Sequence, residues 1–399
     1  MSKPLVLTCD IGTQSARALL VDPDGRIVDV VQSKYAEPYF SKEPGWAEQK
    51  PNFYFDRLCE CCRELCARSN ALLPDVIAMT ITVIRDTVVC LDANNEPLRD
   101  IILWLDKRTV DPNGAMPAKN MMLFKVAGME PTAKVVYAAS VGNWIMRHEP
   151  EIWAKTAKYV MLPTYLNYKL TGNLIDSASN QIGHIPFDYK NRRWMKPGSL
   201  TRCFCDVPNE KLCDLVPSGT VIGTITDEVC ALTGIPAGLP LISTGSDKGC
   251  ETLGLAVVDS DKASISLGTT ATIQFSTTEY VEPQQFLPAY PGVLNDHYNP
   301  EIEIYRGLWL LSWFVKEFGT ADAIDAKEKG MAPEALLDQR IRDLPAGSDG
   351  LLLQPYWTAG ILHPDSLGAV IGFSDYHTRY HFYLSLIHIS EPTRRVVIS

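Results

Sequence analysis

Apolar and polar positions are ordered from the start of the chain. Leu5 to Leu7 and Ala16 to Val21 are apolar, partly β-branched runs of the kind that fill sheet cores. Between them Gly12, Thr13, Gln14 and Ser15 make a turn without bulk. Pro23-Asp24-Gly25 marks a second turn before a third strand over Arg26 to Val31. A loop carrying Gly45 to Gln49 precedes a helix that contains Phe53 to Ala67. Ala78 to Thr82 and Thr87 to Leu91 read as short strands, and the turn Asp92 to Glu96 leads to the apolar run Ile101 to Trp104. Residues 115–172 read as mainly helical, with Gly172 placed to cap the last helix. The Gly- and Pro-rich stretch 234–249 reads as a connection, with a domain junction near residue 240. Beyond it Ala263 to Leu267 and Ala271 to Phe275 flank Gly268-Thr269-Thr270, repeating the opening pattern of strand, Gly-Thr turn and strand. Arg379, Phe382, Tyr383 and Leu386 then recur at helical spacing within 377–387.

Composition narrows the class. A chain of 399 residues holds two or three domains and ample core. With 46% hydrophobic and 21% charged residues it is ordinary for a globular protein. A net charge of −10 argues against a nucleic-acid backbone or an anionic membrane as the main partner, though not against a local basic pocket. No apolar run approaches the roughly 18 residues that span a bilayer. The N-terminus enters its strand at once, leaving no room for a signal peptide, so a cytoplasmic protein is expected.

The eleven cysteines include Cys59, Cys61, Cys62 and Cys66. Cys59, Cys62 and Cys66 follow i, i+3, i+7 spacing, and no second Cys/His cluster completes a tetrahedral zinc set. A reduced, packed helix face is therefore expected, not a metal site.

The two Gly-Thr turns carry the candidate chemistry. Glycine lacks the Cβ that would block a phosphate, and the neighbouring residues bring hydroxyls and N–H groups. Asp10, at the mouth of the first strand, is where a carboxylate would hold a hydrated Mg²⁺. An ordinary hairpin with a polar turn is the competing reading of either turn alone. Two copies of one device suggest a duplication and favour the phosphate reading.

At this point the chain resembles the FGGY carbohydrate kinase family. The matching pieces are Asp10 to Arg17, Gly45 to Gln49, Arg85-Asp86, Trp104 to Arg108, Thr244 to Asp247, Ser266 to Thr270 and a later stretch from Gly372 to Phe382. The resemblance implies an α/β fold: two actin-like, ribonuclease-H-like domains flanking an ATP/sugar cleft. Residues 1–241 would form the first domain and 242–387 a partial second one. It also implies ATP-dependent phosphorylation of a sugar, sugar alcohol or sugar acid, a small-molecule partner, and compatibility with a homodimer.

In that frame Asp247 is the expected catalytic base, and Asp10 the residue that helps hold Mg²⁺. Gly12, Thr13, Gln14 and Arg17, with Gly268, Thr269 and Thr270, would face the phosphates of ATP. Arg85 and Asp86 would bind substrate hydroxyls as a donor–acceptor pair. Trp46 could lay its ring on the sugar carbons or pack on its own domain; Glu48 and Lys248 are further substrate-side candidates. Val83-Ile84 lacks the polar residues often found before the Arg85 pair, which leaves the identity of the sugar open.

The end of the chain departs from the family. His388 to Ser399 lacks the usual continuation, and Pro392 cannot extend a helix. The segment Leu386 to Arg394 reads like a translated sequencing adapter, so 388–399 is expected to be a non-native tail and the second domain incomplete. Two other readings compete with the kinase: an actin- or chaperone-like ATPase, and a non-catalytic sugar-binding relative.

Overall fold

Every second residue of Leu5–Ile11 is buried, and this one-sided burial organises the first half of the chain. The strand pairs antiparallel with Ser15–Val21, which pairs antiparallel with Ile27–Lys34. On its other side it pairs parallel with Val76–Val83. That strand pairs parallel with Pro240–Ile242, and Val221–Thr224 closes the six-stranded sheet. The computed structural model describes residues 3–268, 270–284, 287–304, 306–357 and 366–390.

Helix Phe53–Arg68 covers one sheet face with Leu58, Cys62 and Leu65, all without exposed surface. Each such leucine contributes about 2 kcal/mol through burial. Cys9 and Cys62 touch at 3.5 Å between sulfurs, and the Cys61 thiol donates to the Ala16 carbonyl at 3.6 Å. Burial pushes the thiols of Cys59 and Cys66 up to about 12 and that of Cys61 to about 11. These thiols stay protonated and pack as small apolar groups, as the spacing predicts.

The stretch 234–249 corrects one expectation. It is not a linker, because Pro240–Ile242 lies inside the six-stranded sheet between two other strands. A short strand buried among neighbours needs few residues of its own, so its Gly and Pro flanks mimic a connection. Gly172 ends helix Leu162–Thr171 in the left-handed conformation, φ 80°, as expected. The helical reading of 115–172 missed strand Lys158–Met161, which belongs to a four-stranded sheet with Val88–Leu91, Ile101–Ile102 and Glu48–Gln49.

The chain divides into two compact units. One holds residues 1–262 and 276–300, the other 263–275 and 301–399. This division falls later than the expected 241/242 boundary, because the sheet strand at 240–242 and its following helix stay with the first unit. In the second unit Ala263–Leu267, Ala271–Phe275 and Glu301–Ile304 form an antiparallel three-stranded sheet. A separate core gathers Leu310, Phe314, Leu337, Phe382, Tyr383 and Leu386. The expected helix near 377–387 runs from Arg379 to Ser390, so it includes three residues of the supposed tail. Gly347 N donates to His388 Nε2 at 3.0 Å.

Candidate active site

Asp247 is the first residue of helix Asp247–Gly254, but it is not the cap. Ser246 caps, its hydroxyl accepting from Gly249 N at 3.2 Å, which leaves the Asp247 carboxylate for other work. Asp247 Oδ1 accepts from Lys248 N at 2.8 Å and lies 3.6 Å from Arg85 Nε. Burial raises its pKa above the ordinary carboxylate range, and the charges of Arg85 and Lys248 only partly offset that.

The loop before Asp247 is held from several sides. Thr82 Oγ1 donates to the Gly245 carbonyl at 3.1 Å, Ser246 N to Ser179 O at 3.2 Å, and Ser218 Oγ to Thr244 O at 3.2 Å. Ser177 Oγ also donates to Thr244 O, and Thr244 Oγ1 to Ile81 O. A Cβ on Gly245 would meet Val293 Cγ2 at 2.7 Å, so the loop runs where only glycine fits. Behind it lies Asp176, fully buried, which accepts from Thr164, Asn167, Asn180, Gln181 and the Ser177 backbone at 2.8–3.2 Å. Burial lifts its pKa to about 6 against those five donors.

The first Gly-Thr turn is a true hairpin turn. Gly12 N donates to Ser15 O at 3.0 Å, so this N–H is spent within the turn and is not offered to a phosphate as expected. Among the described residues Thr13 N and Gln14 N have no protein acceptor. Trp104 Nε1 donates to Thr13 Oγ1 at 3.0 Å and pins the turn. Asp10 and Arg17 face each other in register and pair at 2.7 Å, so the Arg17 charge is already half compensated. In the second unit Gly268 N donates to Thr270 O at 2.9 Å, one residue nearer than in the first turn. Thr269 lies outside the described residues.

Trp46 and Glu48 depart from the substrate-side expectation. Glu48 has no exposed surface; it pairs with Arg99 at 2.7 Å, Lys42 at 2.8 Å and Arg108 at 3.1 Å. The Arg108 guanidinium sits 3.8 Å from the Trp46 ring centre, and Trp144 meets that ring edge-on. Asp106 receives Arg108 on both oxygens and also Ala47 N. The stretches 45–49 and 104–108 are thus one interlocked ionic and aromatic cluster, and Trp104 ties it to the Gly12–Ser15 turn. Lys248 pairs with Glu251 at 2.8 Å.

Arg85 ends up beside Asp247. Arg85 stacks over Tyr290, 5.4 Å from the ring centre. Asp86 has φ 46°, and its carboxylate takes His184 Nδ1 at 2.7 Å and His184 N at 2.9 Å. His184 was not singled out from the sequence. Its only signal was Gly183 before it, at φ 152°, where a Cβ would meet Asp86 Oδ1 at 2.3 Å.

Residues 5–254, which include the first turn, the Arg85-Asp86 pair and Asp247, match the N-terminal domain of the FGGY family of carbohydrate kinases. The chain belongs to the FGGY family. It is accordingly a carbohydrate kinase, a phosphotransferase with an alcohol group as acceptor. This FGGY kinase is 26% identical over 374 residues to an uncharacterized sugar kinase, YgcE, of Escherichia coli, covering 94% of the chain and 68% of the relative. It is 25% identical to a xylulose kinase of Bacillus subtilis, covering 94% of the chain and 73% of the relative. A gluconate kinase of Lactobacillus acidophilus superposes with a TM-score of 0.79 at 21% identity, over 98% of the chain and 76% of that structure. The actin-like α/β fold expected from the sequence is the fold of these neighbours.

Proposed function

We propose that this kinase transfers the γ-phosphoryl group of ATP to a hydroxyl of a sugar, sugar alcohol or sugar acid, with Asp247 as the base. The observation that carries the reading is the Asp247 carboxylate, free of capping duty, partly buried, and set beside Arg85. In phosphoryl transfer the protein mainly positions groups and stabilises charge. Asp247 orients the acceptor hydroxyl and takes its proton late, as the new oxygen–phosphorus bond forms and the bond to ADP breaks. The Arg85 charge favours the ionised carboxylate and partly offsets the effect of burial.

Thr13 N and Gln14 N are the donors the first turn leaves for phosphate oxygens; in the second unit the Gly268 N–H is spent on Thr270 O, and Thr269 and Thr270 are the candidates. Asp10 fits a hydrated Mg²⁺. Its Oδ2 is engaged by Arg17, whereas Oδ1 makes no hydrogen bond among the described residues. A single carboxylate suits an ion whose other ligands are water and phosphate. When bound, Mg²⁺ supplies charge neutralisation on the phosphates. A cytoplasmic setting belongs to the same proposal; among the described residues no helix is long and apolar enough to cross a membrane.

A coupled ADP-release assay with D-xylulose, D-gluconate and glycerol tests the reading. Asp247→Asn is expected to lower kcat by at least about 100-fold, the usual worth of a positioned base, with the sugar KM little changed. Unchanged turnover removes Asp247 from the chemistry. ATP hydrolysis indifferent to every sugar points instead to an actin-like ATPase.

A further inference from the structure

Asp86 entered as a substrate ligand, yet both of its oxygens are already occupied by one residue. His184 Nδ1 lies 2.7 Å from Oδ2, and His184 N donates to Oδ1 at 2.9 Å. Asp86 N in turn donates to the Ile182 carbonyl at 3.0 Å, so strand end and turn grip each other from both directions. The grip is tight. Gly183 passes so close to Asp86 that any Cβ would collide with its carboxylate, and Tyr189 OH bonds both Gly183 N and Gly183 O at 3.1 and 2.9 Å. A non-glycine residue at φ 46° is held against local preference by such contacts.

The other end of the imidazole is open. The His184 side chain keeps 33% of its surface exposed, and Nε2 makes no hydrogen bond among the described residues. A chain of contacts leads from the residue beside His184 to Asp247. Gly183 meets Tyr189, Tyr189 packs edge-on against Tyr290 at 5.7 Å, Tyr290 carries Arg85, and Arg85 faces Asp247. All of these residues lie in the first unit.

We propose that His184 is the sugar-contacting residue of this pair: its Nε2 donates a hydrogen bond to a substrate hydroxyl, and Asp86 is a positioning residue that orients the ring. The proposal rests on the kinase reading above and reassigns one of its ligands. Asp86 fixes the proton on Nδ1, so Nε2 is a donor only while the imidazole is charged. Burial works against that charge, but the Asp86 charge and hydrogen bond outweigh it and raise the His184 pKa. Asp86 is correspondingly lowered: burial opposes ionisation, and His184 and Arg85 overcome it. The other titratable groups close enough to sense Asp86 are Tyr159, Tyr189 and Cys205, all pushed upward by burial, Cys205 to about 11. His184 is therefore the group of this cluster whose pKa burial does not set: the Asp86 charge and hydrogen bond carry it above the ordinary histidine value. Sugar affinity should weaken as pH rises through its pKa, because Nε2 changes from donor to acceptor.

Two substitutions separate the two ends of the ring. His184→Asn keeps an amide near Nδ1 for Asp86 but has nothing at the Nε2 position. His184→Gln reaches the Nε2 position with a neutral donor. With saturating ATP, and whichever of D-xylulose, D-gluconate or glycerol the wild type phosphorylates, His184→Asn should raise the sugar KM about 10- to 100-fold, the scale of one charge-assisted hydrogen bond. Its kcat and its KM for ATP should stay within about threefold, as expected when binding is lost equally from ground and transition states. His184→Gln should keep the sugar KM within about fivefold, the net scale of a neutral hydrogen bond, and lose its rise with pH. A wild-type sugar KM in His184→Asn at every pH, with Asp247→Asn still inactive, overturns the assignment and leaves the kinase reading intact. If His184→Asn does not fold, an unchanged pH profile in His184→Gln overturns it equally. Failure of the wild type to phosphorylate any of the three sugars removes the reading on which the proposal rests.

Discussion

The two Gly-Thr hairpins open on the same residue pair but differ in loop length and in setting. In each, the glycine N–H closes onto a carbonyl two or three residues ahead, Ser15 in the first and Thr270 in the second. The first hairpin lies within a six-stranded sheet, and its inward residues Leu7, Cys9, Ile11, Ala16, Ala18 and Leu20 have essentially no exposed surface. The second belongs to a three-stranded sheet in which Ile265, Ile273 and Ile302 stand opposite one another, each 39–46% exposed. A turn is local chemistry and repeats wherever its residues do. Its rigidity comes from what is packed behind it, since a hairpin alone is at best marginally stable. The first turn has a further brace, the Trp104 indole on Thr13.

The largest expected effect sharpens this contrast in stability. Leu7→Ala should cost about 2–5 kcal/mol, because the surrounding sheet and helix cannot collapse into the hole. Ile273→Ala should cost under about 1 kcal/mol, since much of that side chain is already in water. Urea denaturation of both variants decides it, and equal costs would break the comparison.

Next comes a pH effect confined to the first unit. Burial holds the Asp176 carboxyl near 6, above its unfolded value, so the folded protein binds this proton more tightly than the unfolded chain does. Its contribution is most favourable below about pH 4, declines as pH rises to about 6, and is flat beyond. The loss amounts to about 3 kcal/mol by linkage. Asp29, held near 2 by Arg68 and Ser69, acts in the opposite sense: its contribution is present above about pH 4 and lost as pH falls toward 2. The measurement is therefore the difference in unfolding free energy between wild type and Asp176→Asn from pH 4 to 7. A difference independent of pH would show that Asp176 is ionised throughout.

The smallest effect compares the turns themselves. A Cβ on Gly12 would approach Ser15 O to 3.3 Å, whereas on Gly268 the nearest atom is Thr270 O at 3.7 Å. Gly12→Ala should lower stability by about 1 kcal/mol, and Gly268→Ala should be close to neutral. Thermal unfolding distinguishes them, and a larger loss from Gly268→Ala would reverse the ranking.

Several features were legible before any coordinates. The cysteine stripe, the helix after residue 52, the Gly172 cap and both hairpins follow from spacing and turn residues, which act over a few positions. The Asp247 loop was legible as well, through its Ser and Gly neighbours. Three readings needed the fold. Pro240–Ile242 resembles a linker because a strand enclosed by partners needs no alternation of its own. Trp46 and Glu48 resemble ligands because exposed and buried charges look alike in a sequence, and only the convergence of Arg99, Arg108 and Lys42 reveals a structural cluster. His184 was invisible because its partner lies 98 residues away.

By itself, the sequence determined the family, the reaction class and the positions of both Gly-Thr hairpins, since these depend on residue types at short, ordered spacings. The tertiary structure alone decided which charges are spent on architecture and which remain for a substrate. Ion pairing and burial depend on distance in space, and a buried carboxylate with both oxygens taken by neighbouring cations, as in Glu48, belongs to the architecture.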